Sequence, residues 1–524
     1  ITSTKTLVPY EYYYLPFCKP TSTNEQQENL GEIMAGDAIM DSLYSLQMEK
    51  DARCQVLCKP MTYTAKESQK FIDMIQNEYY VQWIYLLYNH VRIIISVNPD
   101  PYAAEEGKAK WRVVGFEVVP TSIEHKYENE PTGGQELDTD TCGKFVNIEE
   151  VAQGKYQYLN PEGETTVLFT YDVQYIKSDI PWEERWDRII SSKSSNDQIH
   201  WFSIINSLMI VLFLTGMIAM IMLRTLHRDI ARYNEVQTTE EAAEESGWKL
   251  VHGDVFRPPQ LSPMLFSVMV GTGVQVCAMT ATTMVIALLG LLSPANRGSL
   301  LTTFLLLFVF MGSFAGYYSS RTYKMFSGKD WKYNTILTAV LYPGLLFGIF
   351  FILNLFLWGK ASSQAVPFGT LFALLVLWFG ISVPLVFLGS YFGFKAPVVE
   401  QPVRTNQIAR QIPEQVWYLS SPFSILVGGI LPFGAVFIEL FFIMSALWLH
   451  QIYYVFGFLF IVLLILVATC AEVTVLNITA FVSGLLYFGY MAMISITFFF
   501  LTGTIGYFAC LWFTRKIYSS IKID

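Results

Sequence analysis

Val398–Trp448 opens as VVEQPVRTNQIARQIPEQVWYLSSP and continues from Phe423 as FSILVGGILPFGAVFIELFFIMSALW. The first half is polar and punctuated by proline. The second is an apolar run carrying one charge, Glu439. About 20 apolar residues in a helix cross the hydrocarbon core of a bilayer, and this run is longer than that. The unit therefore reads as a charged connection on one side of a membrane, followed by a span with a carboxylate near its middle.

Runs of the same kind recur outward from it. They are Phe202–Leu223, Met264–Leu292, Leu300–Ser320, Thr335–Trp358, Phe368–Phe392, Phe423–Leu449, Ile452–Leu476 and a long final run, Ile478–Phe513. Only 15% of the 524 residues are charged and 52% are hydrophobic. A soluble chain carries about 25% charge, so the pattern predicts a polytopic α-helical membrane protein. The first 200 residues hold no such run. The expected domains are a β-rich region at 1–200, a helical membrane domain at 201–514 and a tail at 515–524. The net charge of −9 argues against a nucleic-acid partner. The opening ITSTKTLVPYEYYYLPF lacks the basic start and apolar core of a leader. The expectation is that a leader was cleaved or that further residues lie upstream.

Within 1–200, Val91–Val97, Trp111–Val119 and Thr166–Ile176 are rich in β-branched and aromatic residues and bounded by turn formers. They predict a β-rich, sandwich-like domain. Thr64 and Glu67 have capping-box spacing, and Phe71, Met74 and Ile75 then share a helical face. Cys18, Cys54, Cys58 and Cys142 are even in number, which favours disulfides in a region outside the cytosol. Three pairings are open. The alternative for Cys54 and Cys58 is a metal pair, but no histidine pattern accompanies them. No metal or cofactor is therefore expected. Cys277, Cys470 and Cys510 fall in spans and read as small packing residues.

Basic residues set the sides of the membrane. Arg224, His227, Arg228 and Arg232 follow the first span. Arg321, Lys324, Lys329 and Lys332 follow the third, and Lys395, Arg404 and Arg410 follow the fifth. The alternate connections hold only Arg297 and Lys360. Connections 224–262, 321–334 and 393–422 are therefore expected in the cytosol and the β-rich region in a lumen. Parity then fails at the end. The seventh span should finish in the cytosol, yet the tail with Arg515, Lys516 and Lys522 should lie there too. The expectation is that one span and its loops are missing near Leu476–Asn477.

Polar residues inside spans are costly and mark contacts or pathways. Glu439 and Glu472 could form a proton or cation path or meet a partner's helix; the plainer reading is a neutral acid bonded between helices. Asn354 and Gln275 read as helix–helix hydrogen bonds. Gly312 and Gly316, and Gly428 with Gly429, are small enough to let helices approach closely. That closeness serves internal packing or a groove for another protein's glycine-rich helix. Phosphate-binding loops, nucleophile elbows and paired-histidine metal motifs are absent from the sequence, so no enzyme is expected.

These stretches together resemble the transmembrane nine superfamily, the nonaspanins or endomembrane protein 70 family. The resemblance is carried by LPFC (Leu15–Cys18), ENLGE (Glu28–Glu32), LRTLHRDIARYN (Leu223–Asn234), GWKLVHGDVFRPP (Gly247–Pro259) and SPANRG (Ser293–Gly298). Further C-terminal it is carried by PVRTNQIARQIPEQ (Pro402–Gln415), GGILPFGAVFIELFFI (Gly428–Ile443) and the run from Leu501 to Asp524. The resemblance implies nine helices, with the eighth missing here, a lumenal N-terminal domain and Golgi and endosomal membranes. It also implies a Lys-x-acid sorting signal, here Lys522 and Asp524, read by the COPI coat. The function it implies is sorting of client membrane proteins through their glycine-rich transmembrane segments, in contact with membrane lipids. A transporter or channel using an intramembrane carboxylate is the other reading.

Overall fold

The computed structural model describes residues 2–409 apart from 81–86, 100–110, 138–155, 186–200, 235–250, 293–297 and short gaps at 4–5, 7, 23, 27–28, 37–38, 78 and 128–129; it then describes 417, 423, 426 and 481–520. The chain divides into two units. One holds Ile1–Gln198, Leu353–Val366 and Asn477–Tyr487; the other holds the remainder.

The N-terminal unit is β-rich. Its main sheet has four strands: β1 (Ala52–Val56), β3 (His90–Pro99), β4 (Trp111–Thr121) and β6 (Thr170–Lys177), in the order β1-β6-β3-β4. A short pair, β2 (Met61–Tyr63) with β5 (Thr165–Val167), lies beside it in the chain. Alternation makes the strands. Ile93, Ile95 and Val97 are buried along β3 while Ile94 and Ser96 are half-buried, so one face carries the core. Each such side chain contributes roughly 1.5–3 kcal/mol on burial. The sheet differs from a simple sandwich in its centre, where β6 runs parallel to β3 from Thr170 opposite His90 to Lys177 opposite Val97. Side-chain alternation is the same in parallel and antiparallel strands, so the sequence pattern does not distinguish them. The run Thr166–Ile176 is also broken, at Leu168 and Phe169. Both enter the core, and the break frees β5 to pair with β2.

Helix α1 (Ala65–Gln76) starts where the capping box places it. The Thr64 N–H donates to Glu67 Oε2 at 3.0 Å, and Thr64 closes the box in return. Phe71 is buried against Phe17 and Tyr63, with ring centroids 5.5 and 5.2 Å apart. The disulfide Cys18–Cys58 ties the N-terminal strap to this core. Asn29 in ENLGE caps a short helix, Leu30–Ala35, by accepting from the Glu32 N–H at 3.0 Å. That helix ends on Gly36 at φ +76°, and the Gly36 Cα faces the backbone of Ser363 and Gln364. A side chain there would suffer both strain and collision. Ser362 Oγ and the Ser363 N–H both donate to Pro9 O, at 2.8 and 3.1 Å. The 359–366 connection is thus fastened to the N-terminal segment.

The membrane unit is helical. Among the described residues, five helices are long and apolar enough to cross a membrane: α3 (Pro263–Leu288), α4 (Ser299–Met325), α5 (Trp331–Gly359), α6 (Phe368–Lys395) and α7 (Phe481–Ser519, with the span at Gly484–Ser519). Ahead of them, α2 (Trp201–Asn234) runs 34 residues. Leu212, Phe213, Met220 and Leu223 on α2 are each more than half exposed. Such a continuous apolar surface is ordinary in lipid and untenable in water. The runs Phe423–Leu449 and Ile452–Leu476 fall almost wholly outside the described residues, as does the join expected at Leu476–Asn477.

Small residues set the packing. Gly316, Gly389 and Gly393 lie at the α4–α6 crossing, where their Cα atoms face the partner helix's backbone at Val386, Ser313 and Tyr317. On α3, Gly271 packs on Ala315 and Ser319 of α4, while Gly273 packs on Phe500 and Thr504 of α7. Hence α3 lies between those two helices. α6 contains a wide turn at Trp378–Ser382 just before Pro384. Proline has no N–H to donate, and a wide turn absorbs the missing bond. Trp378 Nε1 donates to Ala339 O of α5 at 3.0 Å, holding the turn in place.

Candidate functional site

The intramembrane polar residues do different jobs. Gln275 Nε2 donates to Phe308 O across α3 and α4 at 2.7 Å, a helix–helix bond. Asn354 departs from that expectation. Its Oδ1 accepts from the Val366 N–H at 2.8 Å and its Nδ2 donates to Val366 O at 3.2 Å. It clamps the connection that leads into α6, because that turn exposes a backbone pair with no helical partner. Gly312 faces Val386 and Ser382 of α6, and Gly316 lies one turn further along the same contact. Around them runs a buried hydroxyl seam. Ser320 bonds Ser390, Thr335 reaches Ser390 at 2.5 Å, Ser319 meets Thr338 at 2.9 Å, and Asn334 Nδ2 donates to Ser319 at 3.0 Å. Cys54 is disulfide-bonded as well. Glu439, Glu472, Gly428, Gly429, Cys142, Lys522 and Asp524 lie outside the described residues.

The three basic connections and the end of α7 gather at one end of the bundle. Arg257, held by Asp254, donates to Asn406 O at 2.7 Å, and the Asn406 N–H donates to Gly253 O at 2.8 Å. Lys324 Nζ donates to Phe394 O and Ala396 O, both at 2.7 Å. Arg515 Nη2 donates to Glu400 O at 2.8 Å. Between α4, α7 and the 399–402 segment lies a cavity of about 910 Å³. Its rim carries Arg321, Arg515 and Lys516, with Glu400 as its one acid among the described lining residues. Aromatic and basic residues line it from both helices: Tyr317, Tyr318 and Arg321 on α4, and Phe508, Trp512 and Arg515 on α7, with Leu511 beside them. In the sequence these cations count only as markers of side. Their shared face shows only when two helices far apart in the chain are brought together.

A second polar cluster is buried in the N-terminal unit. His90 Nε2 lies 3.3 Å from Asp172 Oδ2, and Arg92 Nε lies 3.5 Å from the same oxygen. The Cys54 N–H donates to Asp172 Oδ1 at 2.7 Å. Thr170 Oγ1 bridges His90 Nδ1 and His125 Nε2 at 2.8 and 2.9 Å. Burial pushes the Asp172 carboxyl up, but the His90 bond and charge, the Cys54 N–H and Arg92 together outweigh it and hold the group low. His125 is pushed down to about 4, first by burial and then by the charge of His90, with Asp172 pulling the other way. Thr170, His90 and Asp172 are buried, so the cluster has the parts of a nucleophile, base and acid without access for a substrate. These residues carry no spacing signal; the parallel register of β3 and β6 brings them together.

The endomembrane protein 70 profile matches residues 9–86 and 84–500. The chain belongs to the endomembrane protein 70 family. It is 47% identical to transmembrane 9 superfamily member 9 of Arabidopsis thaliana over 607 aligned positions, which cover 100% of this chain and 92% of the relative. Against transmembrane 9 superfamily member 4 of Homo sapiens it is 42% identical, covering 100% of this chain and 93% of the relative. Against the putative phagocytic receptor 1a of Dictyostelium discoideum it is 44% identical with the same coverage. No solved structure matches the chain. Membership makes this a multi-pass endomembrane protein of a non-enzymatic family. The Arabidopsis alignment has 607 positions for 524 residues here, so at least 83 (607 less 524) lie opposite gaps in this chain. Two of the nonaspanin stretches, ENLGE and LPFC, fall where the N-terminal strap is fixed, at the Asn29 cap and the Cys18 disulfide.

Proposed function

We propose that this protein is a sorting factor of Golgi and endosomal membranes that binds the transmembrane segments of client proteins and assists their transport or surface delivery. One observation carries the reading. The span glycines fall into two sets. Gly271, Gly273, Gly316, Gly389 and Gly393 are filled by neighbouring helices, whereas a methyl group on Gly216, Gly348, Gly369 or Gly380, or on the closely spaced Gly503 and Gly506 of α7, would meet no described atom. Gly503, Gly506 and Cys510 share one face of α7, and all three are exposed. A helix with glycines of its own can approach such a face closely, and close approach is what drives association in lipid. The relative named as a putative phagocytic receptor supports a receptor-like role.

The sidedness of the proposal rests on two supports. The basic connections converge at one end of the bundle, which positive-inside charge puts in the cytosol. The 359–366 connection, at the other end of α5 from Lys332, is bonded to Pro9 of the N-terminal segment, which supports a lumenal β-rich region. Lys522 and Asp524 would then be available to the COPI coat at the cytosolic terminus.

The test is capture in the bilayer. A photo-crosslinking residue at Ala509 should trap client transmembrane helices. Gly503→Leu with Gly506→Leu should lower that capture at least fivefold without changing thermal stability, since leucine there fills space free of described atoms. Undiminished capture would remove the face from the account.

A further inference from the structure

The cavity at the basic end has chemistry that client binding does not use. We infer that it is a binding site for the phosphorylated inositol headgroup of a membrane lipid. Three features select that ligand.

The first is charge. Arg321, Arg515 and Lys516 face a space whose described lining contains one acid, Glu400. Ion pairs among the described residues lie elsewhere, on Asp172 and Asp254. Arg321 donates one N–H to Tyr317 Oη at 3.0 Å and Arg515 one to Glu400 O at 2.8 Å. A guanidinium has five N–H groups in a fork that matches phosphate oxygens, so both keep donors for an anion. Both are half-buried, where an uncompensated charge is costly and an anionic ligand offsets the cost.

The second is shape. The lining runs from cations into aromatic side chains on α4 and into apolar ones on α7. On α7 the order is Lys516, Arg515, Trp512, Leu511 and Phe508. At about 1.5 Å per residue, Arg515 to Phe508 is roughly 10 Å, enough for a headgroup with its glycerol and the start of an acyl chain. Trp512 is 70% exposed, as expected for an aromatic ring at a membrane boundary. A soluble anion would use the rim and leave the apolar part empty.

The third is an orphan acceptor. Gln401 Oε1 is buried and has no hydrogen-bond partner. It lines the same space as Arg515. An acceptor beside cations suits a ligand that brings hydroxyl donors along with its phosphates, which inositol does and phosphocholine does not. Basic clusters at membrane surfaces recruit such lipids by the same charge logic.

The test uses the full chain in phosphatidylcholine nanodiscs. The probes are dioctanoyl phosphatidylinositol 4-phosphate, its headgroup inositol 1,4-bisphosphate, inorganic phosphate and dioctanoyl phosphatidylserine, each followed by native mass spectrometry and thermal shift. The inositol lipid should bind at least tenfold tighter than the other three. Arg321→Gln with Arg515→Gln should weaken the lipid at least tenfold. Trp512→Ala and Lys516→Gln, at exposed positions that spare the fold, should each weaken it about threefold, and Trp512→Ala should leave headgroup binding unchanged. Headgroup binding as tight as the lipid would make the ligand soluble and overturn the lipid assignment. Equal affinity for phosphatidylserine, or full lipid binding by the folded exposed-site variants, would overturn the inositol site. None of these readings depends on client capture, so either proposal can fail alone.

Discussion

A Gly389→Leu variant is expected to lose about 3 kcal/mol of membrane-unit stability, the upper end of what overpacking costs. The Gly389 Cα faces the backbone of Ser313 on α4. No rotamer can relieve that contact, because the obstacle is main chain and not the far end of a side chain. Separating α4 from α6 would also break the Ser320–Ser390 bond between them, and a hydroxyl stranded in an apolar interior carries its own penalty. The result should be a clear fall in thermal midpoint in detergent. Gly503→Leu is the matched control. It makes the same chemical change in a span where no described atom is met, and should stay within about 0.5 kcal/mol of the parent. Equal effects of the two variants would show that the α4–α6 crossing is not the tight seam described.

The N-terminal unit should loosen as pH falls from 7 to 5, and His125 should be the cause. Its folded pKa of about 4 lies below the ordinary 6.5. The unfolded chain therefore takes up a proton through pH 6.5 that the folded state refuses until about pH 4. Stability is lost across that window, by about 2 kcal/mol at pH 5. Asp172 does not act in the same range. Its carboxyl is held below the usual value, so its contribution is present above the unfolded pKa and is lost only as pH falls through the lower folded one. Amide exchange in β3 and β6, corrected for intrinsic rate, should show about 30-fold less protection at pH 5 than at pH 7. His125→Gln keeps a donor for Thr170 and should flatten that dependence. Protection that is unchanged with pH, or lost equally in His125→Gln, would contradict the assignment.

Run length made the spans legible, because a bilayer demands a minimum apolar length whatever the packing. The run Thr335–Trp358 became α5, extended by about one turn at its start and one residue at its end, and α1 begins after the Thr64 cap because its capping residues act locally. Partners at a distance were not legible. The parallel pairing of His90 with Thr170 joins strands 80 residues apart, and no local preference encodes it. Glycine spacing was equally silent on its own. Gly312 with Gly316 and Gly503 with Gly506 are both small-residue pairs about one helical turn apart, yet α6 covers the first pair and no described atom meets the second. Asn354 has the position of a contact between helices, but its side chain pairs with the backbone N–H and C=O of Val366 in the connection that follows. Arg321 and Arg515 showed their sign in the sequence and their common cavity only in the fold.

Each connection occupies one side of the membrane, and the side decides what it can meet. Lys360→Cys lies in the connection beside Ser362 and Ser363, and Ser327→Cys lies in the basic connection between α4 and α5. In sealed microsomes, whose outer face is cytosolic, an impermeant maleimide should label Ser327→Cys above the parent chain and should reach Lys360→Cys only after permeabilisation. Labelling of both in sealed vesicles, or of Lys360→Cys alone, would reverse or merge the sides given to the two connections and contradict the account.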